Sequence, residues 1–250
     1  MSAVLGVEHL AKSFDGVEAV RDVSFTVDAG ELAALIGPNG AGKTTCFNCI
    51  NGQLRPDAGR VTLAGVPVTG RSPREIALAG VGRTFQVAAT FASMTVRENI
   101  EVALMSHAGR GKAWLGRVAG TRNPRADALM TRTGIEALAD RHCATLPYGD
   151  AKRVELALAL AGHPKLLLMD EPTAGMAAAD RGALMQLASE LARRDQLAVL
   201  FTEHDMDVVF AFADRVIVLD RGRIIAQGPP EAIRADARVQ AVYLGEPATP

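Results

Sequence analysis

The sequence predicts an α/β fold, and three observations predict it. Short, wholly apolar runs recur: Leu-Ala-Ala-Leu-Ile within residues 31–36, Leu166-Leu167-Leu168-Met169, and Leu197 to Phe201. Runs of that length read as buried strands. Helical stretches alternate with them, Ala151 to Ala161 mostly apolar and Arg181 to Arg193 amphipathic. A glycine-rich loop, Gly37-Pro38-Asn39-Gly40-Ala41-Gly42-Lys43-Thr44-Thr45, joins the first buried strand to a helix over Cys46 to Asn51.

That loop fits the pattern G-x-x-x-x-G-K-[ST], in the strand–loop–helix setting the pattern requires. Its glycines let the backbone curl so that N–H groups point inward. The helix after it presents unpaired N–H groups and a partial positive charge. Such a loop wraps a phosphate chain. Lys43 would reach the β- and γ-phosphates, and the Thr44 hydroxyl would hold Mg²⁺.

At 250 residues the chain is long enough for one large α/β domain or two small ones. It is 48% hydrophobic and 22% charged, which is ordinary for a soluble globular protein. A formal net charge of −1 gives no overall attraction to nucleic acid. Met-Ser-Ala-Val-Leu at the start lacks the marks of a secretory signal. No apolar run approaches a membrane span, so the expected location is the cytoplasm. Cys46, Cys49 and Cys143 are too few for a disulfide framework. Cys46-Phe-Asn-Cys49 formally reads C-x-x-C, but no second pair completes a zinc site. Small buried helix residues are the expectation.

Taken in order, Val4 to Leu10 and Val23 to Val27 look like short strands, with Asp15-Gly16 in the turn region. Phe14 sits in that connection, either to stack on adenine or to pack in a small sheet. Arg60 to Leu63 suggests another strand. Ser72-Pro73-Arg74-Glu75 is a helix start with a capping box, and Gly80 should end that helix. Val81 to Gln86 reads as a strand, and Thr95-Val96-Arg97-Glu98 as a second capping box, its helix running to about Met105. Residues 107–126 hold Trp114 and the basic residues Arg110, Lys112, Arg117, Arg122 and Arg125, read as a solvated loop and helix edge. Ala126 to Leu138 is predicted helical with a break at Gly134. Leu146 to Asp150 is predicted as a turn before the helix from Ala151, which Gly162-His163-Pro164 stops. Asp220-Arg221-Gly222 marks a hairpin between Arg215–Leu219 and Arg223–Gln227. The end of the chain is expected to be a short polar tail.

Phosphoryl transfer needs a metal, a base that positions the nucleophile, and a sensor of the γ-phosphate. Asp170 follows four apolar residues, so it should lie at the C-terminal end of a buried strand, where open α/β sheets bind ligands. It would order Mg²⁺ through water. Glu171, next in the chain, would polarise the attacking water. His204 follows the neighbouring apolar strand and would hold that water and Glu171 in place.

Together these residues resemble the nucleotide-binding subunit of an ATP-binding-cassette transporter over nearly the whole chain. The phosphate loop, Gln86 after Thr84-Phe85, the turn before Ala151, Leu166 to Thr173 and Thr202-Glu203-His204-Asp205 occur in that family's order and spacing. The resemblance implies a RecA-like P-loop core with an N-terminal antiparallel β subdomain, formed by 1–87 and 165–250. A helical subdomain would span 88–164. It makes Gln86 a contact of Mg²⁺ and of the membrane partner, Phe14 the adenine-stacking aromatic, and His204 the switch histidine. More narrowly, Arg83-Thr84-Phe85-Gln86, Leu146 to Asp150, Glu203 to Met206 and Tyr243-Leu244-Gly245-Glu246 resemble bacterial branched-chain amino-acid importer ATPases. Relatives export lipopolysaccharide or import urea and amides.

The implied cofactors are ATP and Mg²⁺. The implied partners are membrane permease subunits, a sister ATPase or a second copy, and indirectly a periplasmic binding protein. The chain would lie on the inner face of the membrane. A soluble regulatory or DNA-repair cassette is the rival of another class, and a phosphate-loop kinase a further one. Two segments depart from the family. Where Leu-Ser-Gly-Gly-Gln is usual, Pro147 replaces the Ser and Tyr148 the first Gly, followed by Gly149 and Asp150. Ala174-Gly175-Met176-Ala177 lacks a carboxylate that usually follows. Both segments normally complete the partner's ATP site.

Overall fold

The computed structural model describes residues 3–84, 90–107 and 123–244. It opens with a hairpin of twelve-residue strands, β1 (Ala3–Phe14) and β2 (Val17–Asp28), turned at Asp15-Gly16. β3 (Leu32–Ile36) leads through the phosphate loop to α1 (Lys43–Ile50). β4 (Ala58–Leu63) and β5 (Val66–Pro67) join the hairpin in a four-stranded antiparallel sheet, order β2-β1-β4-β5. Next come α2 (Pro73–Ala79), β6 (Val81–Thr84), α3 (Val96–His107), α4 (Pro124–Thr133) and α5 (Tyr148–Leu160). β7 (Leu166–Asp170), α6 (Ala178–Asp195), β8 (Ala198–Thr202) and α7 (Met206–Phe212) follow. The described chain ends with β9 (Arg215–Asp220), β10 (Arg223–Gly228), α8 (Pro230–Ala235) and α9 (Ala237–Leu244). The second sheet has the order β10-β9-β3-β8-β7-β6. Only its β10 edge runs antiparallel.

This sheet is buried on both faces, and alternation sorts its side chains between two cores. Leu32, Ala34 and Ile36 enter one core with Leu167, Met169, Val199 and Phe201. Helices α3 to α9 cover that face with residues such as Ile100, Met130, Leu156 and Met185. Ala33 and Leu35 point the other way with Leu166, Leu168, Ala198 and Leu200. There they meet α1, through Cys46, Phe47, Cys49 and Ile50, and the small sheet, through Leu5, Val7 and Val27. The phosphate-loop helix is therefore wedged between the two sheets. Burial pushes both of its thiols up, Cys49 to about 11. They are inert packing groups.

Local chemistry sets the helix ends. Ser72 and Glu75 close a full capping box at α2, and Gly80 terminates that helix in the left-handed region. Thr95 and Glu98 exchange the same reciprocal bonds at α3. Gly134 ends α4 after Thr133, and a short 3-10 turn, Glu136–Leu138, replaces the rest of the predicted helix. Arg221 and Gly222, both at positive φ, make the two-residue hairpin between β9 and β10.

Two expectations are corrected. Tyr148, Gly149 and Asp150 are the first turn of α5, not a turn ahead of it. Pro147 stands at the cap, where a missing N–H costs nothing, and Asp150 lies in the first turn, where a carboxylate is favourable. Residues 230–244 are not a polar tail but α8 and α9, anchored by buried Ile233 and Val239. Trp114 and most of the basic stretch lie outside the described residues.

Leu200→Ala tests the sandwiched sheet, since Leu200 is fully buried at its centre. It should lower the unfolding free energy by about 2–5 kcal/mol. The check is a lower urea midpoint at an unchanged slope; an unmoved midpoint would exclude a packed core there.

Candidate functional site

The phosphate loop runs from the end of β3 to the start of α1, and its path allows no side chain at two glycines. A Cβ on Gly37 would meet the Leu219 carbonyl oxygen at 2.2 Å. At Gly42, φ is +104°, and a Cβ would meet the Ala19 carbonyl oxygen at 2.3 Å. These contacts seat the loop against β9 and β2. Gly42 caps α1 without any side-chain hydrogen bond, and the first turn holds no acidic residue. The first N–H groups of α1 are thus left for an anion, as a phosphate-binding helix requires. Asn39, Gly40 and Thr44 are exposed, Pro38 and Thr45 half-buried, Ala41 buried.

Lys43 is only 7% exposed. Its Nζ donates to the carbonyl oxygens of Gly37 (2.6 Å) and Pro38 (3.1 Å). Burial pulls its pKa down, and the charges of Glu171 and Asp170 work against that pull. The ammonium therefore lies within electrostatic reach of both carboxylates.

Those carboxylates come from the end of β7, which pairs with β8 so that Asp170 lies opposite Thr202. The Thr202 hydroxyl donates to Asp170 Oδ1 at 2.8 Å. Arg83 donates to Asp170 Oδ2 at 3.2 Å. The same guanidinium reaches Asn48 of α1 (3.1 Å) and Gln53 (2.8 Å). Glu171 turns into the left-handed region, φ +47°, and its N–H donates to Thr202 Oγ1 at 3.0 Å. Its Oε1 lies 2.8 Å from His204 Nε2. The structure thus brings Lys43, Asp170, Glu171 and His204 to one edge of the large sheet, beside the start of α1.

Phe14 sits beside the tip of the β1–β2 hairpin, 44% exposed, with Lys12 Nζ 5.5 Å from its ring centre. The neighbouring strand touches the phosphate loop through Ala19. Gln86 lies outside the described residues. Pro147, Tyr148, Gly149 and Asp150 stand apart at the start of α5, where the Tyr148 hydroxyl donates to the Ala174 carbonyl oxygen at 3.1 Å. Asp180 of α6 lies close to Gly149.

Sequence reasoning missed Arg83, Thr202 and Glu203. Arg83 was legible only as part of a motif string. Thr202 ends a buried strand and Glu203 follows it directly, and that position was the available signal.

A family model described as "ABC transporter" matches residues 20–174. A second, "Branched-chain amino acid ATP-binding cassette transporter", matches residues 223–249. The chain is similar to the high-affinity branched-chain amino acid transport ATP-binding protein LivG of Salmonella typhimurium. The two are 38% identical, over 97% of this chain and 98% of that one. It is also similar to the lipopolysaccharide export system ATP-binding protein LptB of Haemophilus influenzae, 35% identical over 98% of each. Among solved structures, the ADP conformation of an ATP-binding cassette of an ABC transporter superposes with a TM-score of 0.87. It is 30% identical and covers 98% of this chain and 100% of its own. A dimeric bacterial ABC transporter cassette gives a TM-score of 0.76 at 26% identity, covering 90% of this chain and 98% of that one.

Lys43→Ala removes the loop's ammonium. Affinity for Mg-ATP in an equilibrium titration should fall at least about tenfold, the equivalent of one lost charge-assisted bond, and more for triphosphate than for diphosphate. Wild-type affinity would show that Lys43 does not face the phosphates.

Proposed function

The chain belongs to the ABC transporter family, and on that premise we propose that it is the ATP-hydrolysing subunit of an importer for branched-chain or related amino acids. The reading has the resemblance to LivG and the match over residues 223–249 behind it. Among the described residues no helix is long and apolar enough to cross a membrane. By its likeness to LivG, the chain would work from the inner face of the membrane through separate permease subunits, and a periplasmic binding protein would deliver the solute.

One observation carries the hydrolytic reading: Glu171 and His204 are in hydrogen-bond contact, 2.8 Å apart, next to the phosphate loop. The loop and Lys43 bind the triphosphate. Thr44 and Asp170 offer the hard oxygen donors that suit Mg²⁺ alongside phosphate and water. Mg²⁺, when bound, neutralises charge on the phosphates. Glu171 orients the attacking water and accepts its proton. His204 holds Glu171 in place and reaches toward the γ-phosphate. Gln86 would link the metal to the permease, and Phe14 would stack on adenine.

The start of α5 favours a heterodimer with a sister ATPase over a pair of identical copies. Pro147 has no hydroxyl and no N–H to offer a facing γ-phosphate. Tyr148, 49% exposed, is bulky where a glycine would admit the phosphate. A sister chain with an intact signature would complete this chain's own catalytic set.

Two experiments follow. Glu171→Gln should keep ATP binding and slow single-turnover hydrolysis about 10²–10⁴-fold, the range of a general base; hydrolysis at the wild-type rate removes Glu171 from that role. In reconstituted transporter, Glu171→Gln here should cost more ATPase activity than the matching change in the sister chain. Equal losses, or full leucine uptake with this chain as the only cassette, would reject the heterodimer.

A further inference from the structure

We infer that Glu203 is a positioning residue for hydrolysis, its buried carboxylate tying the loop after Glu171 to the loop that carries His204. The inference rests on the roles proposed for Glu171 and His204.

Glu203 follows β8 and is 4% exposed. Its Oε1 accepts two hydrogen bonds from Thr173, from the N–H at 2.8 Å and the hydroxyl at 2.6 Å. Its Oε2 accepts from the His204 N–H at 3.2 Å. Burying a carboxylate is costly unless donors surround it, and here three donors come from two loops. Thr173 lies two residues after Glu171, and His204 is the next residue after Glu203. The carboxylate therefore spans the two segments whose side chains meet at 2.8 Å. Glu171 stands in a strained backbone region, φ +47°. Its N–H is fixed by Thr202 on one side. Glu203, through Thr173, fixes the other side. Glu171 and His204 then have little freedom to drift apart.

An ionised carboxylate only accepts, which is what three donors require. An amide separates the two arms. Its carbonyl can keep both Thr173 bonds, but its NH₂ then faces the His204 N–H, donor against donor. Glu203→Gln should loosen the His204 side while sparing the phosphate loop.

The test uses the full chain, steady-state Mg-ATP hydrolysis, and ¹⁵N-histidine NMR of the nucleotide-free protein. Glu203→Gln should lower kcat about tenfold, one hydrogen bond's worth, and leave KM within about twofold. In a His204→Ala background it should add no further loss, because it acts through His204. In the NMR spectrum, the His204 ring signal should move in Glu203→Gln toward its position in Glu171→Ala. Thr173→Val, a milder cut of the same bracket, should lower kcat about threefold, and its combination with Glu203→Gln should fall short of the product of the two. Losses that multiply in the His204→Ala background, or an unmoved ring signal, overturn the inference alone. Wild-type turnover by His204→Ala itself would instead remove the reading of the site, and this inference with it.

Discussion

The Thr202 hydroxyl joins the ends of two buried strands, and the polar site depends on that junction. It donates to Asp170 and accepts from the Glu171 N–H. A hydroxyl has one proton and two lone pairs, so it can serve both at once. This works only in the observed register, with Asp170 opposite Thr202. A slip of one residue would turn Leu166 and Leu168 into the opposite core and part Asp170 from Thr202. The register is itself fixed by apolar alternation, because each face of the sheet meets a different core. Packing therefore determines where the carboxylates emerge, and no polar interaction has to choose the place.

The charges at this edge are arranged by the same packing. Lys43 is drawn inward by the loop carbonyls of Gly37 and Pro38. An ammonium has three donors, and two of them are held by the loop. Arg83 balances Asp170 from the β6 side and ties it to Asn48 of α1. That link makes the position of α1 depend on β6, the strand that leads toward Gln86. Asp170 has both oxygens engaged, by Thr202 and by Arg83, while Glu171 is left to reach His204. Adjacent carboxylates thus take different work because successive residues at a strand end point in different directions.

The α/β class was legible because a strand buried on both faces must be apolar throughout, as Leu32 to Ile36 and Ala198 to Thr202 nearly are. Helix starts with a capping box were legible for the same reason of local sufficiency. Ser72 and Glu75 satisfy each other whatever the rest of the chain does. The start of α5 was misread because Pro147 suits a turn and a helix cap equally. Residues 230–244 were misread because α8 and α9 are short, and most of their side chains face solvent. Glu203 went unnoticed because its partner Thr173 is thirty residues away. No local pattern announces a contact of that range.

Two helix starts in this chain show how sequence divides the labour. At α1 the cap is Gly42, no side chain bonds the first N–H groups, and no acid stands in the first turn. The positive end of that helix is open to phosphate. At α5 the cap is Pro147, and Asp150 lies in the first turn. Its carboxylate already sits in the field of the helix and adds a negative charge where a phosphate would bring more. Tyr148 is half exposed, and its hydroxyl is held by the chain's own Ala174 carbonyl. The first helix is built to receive an anion. The second is stabilised from within, so whatever it contributes to a facing nucleotide comes from shape and backbone more than from charge.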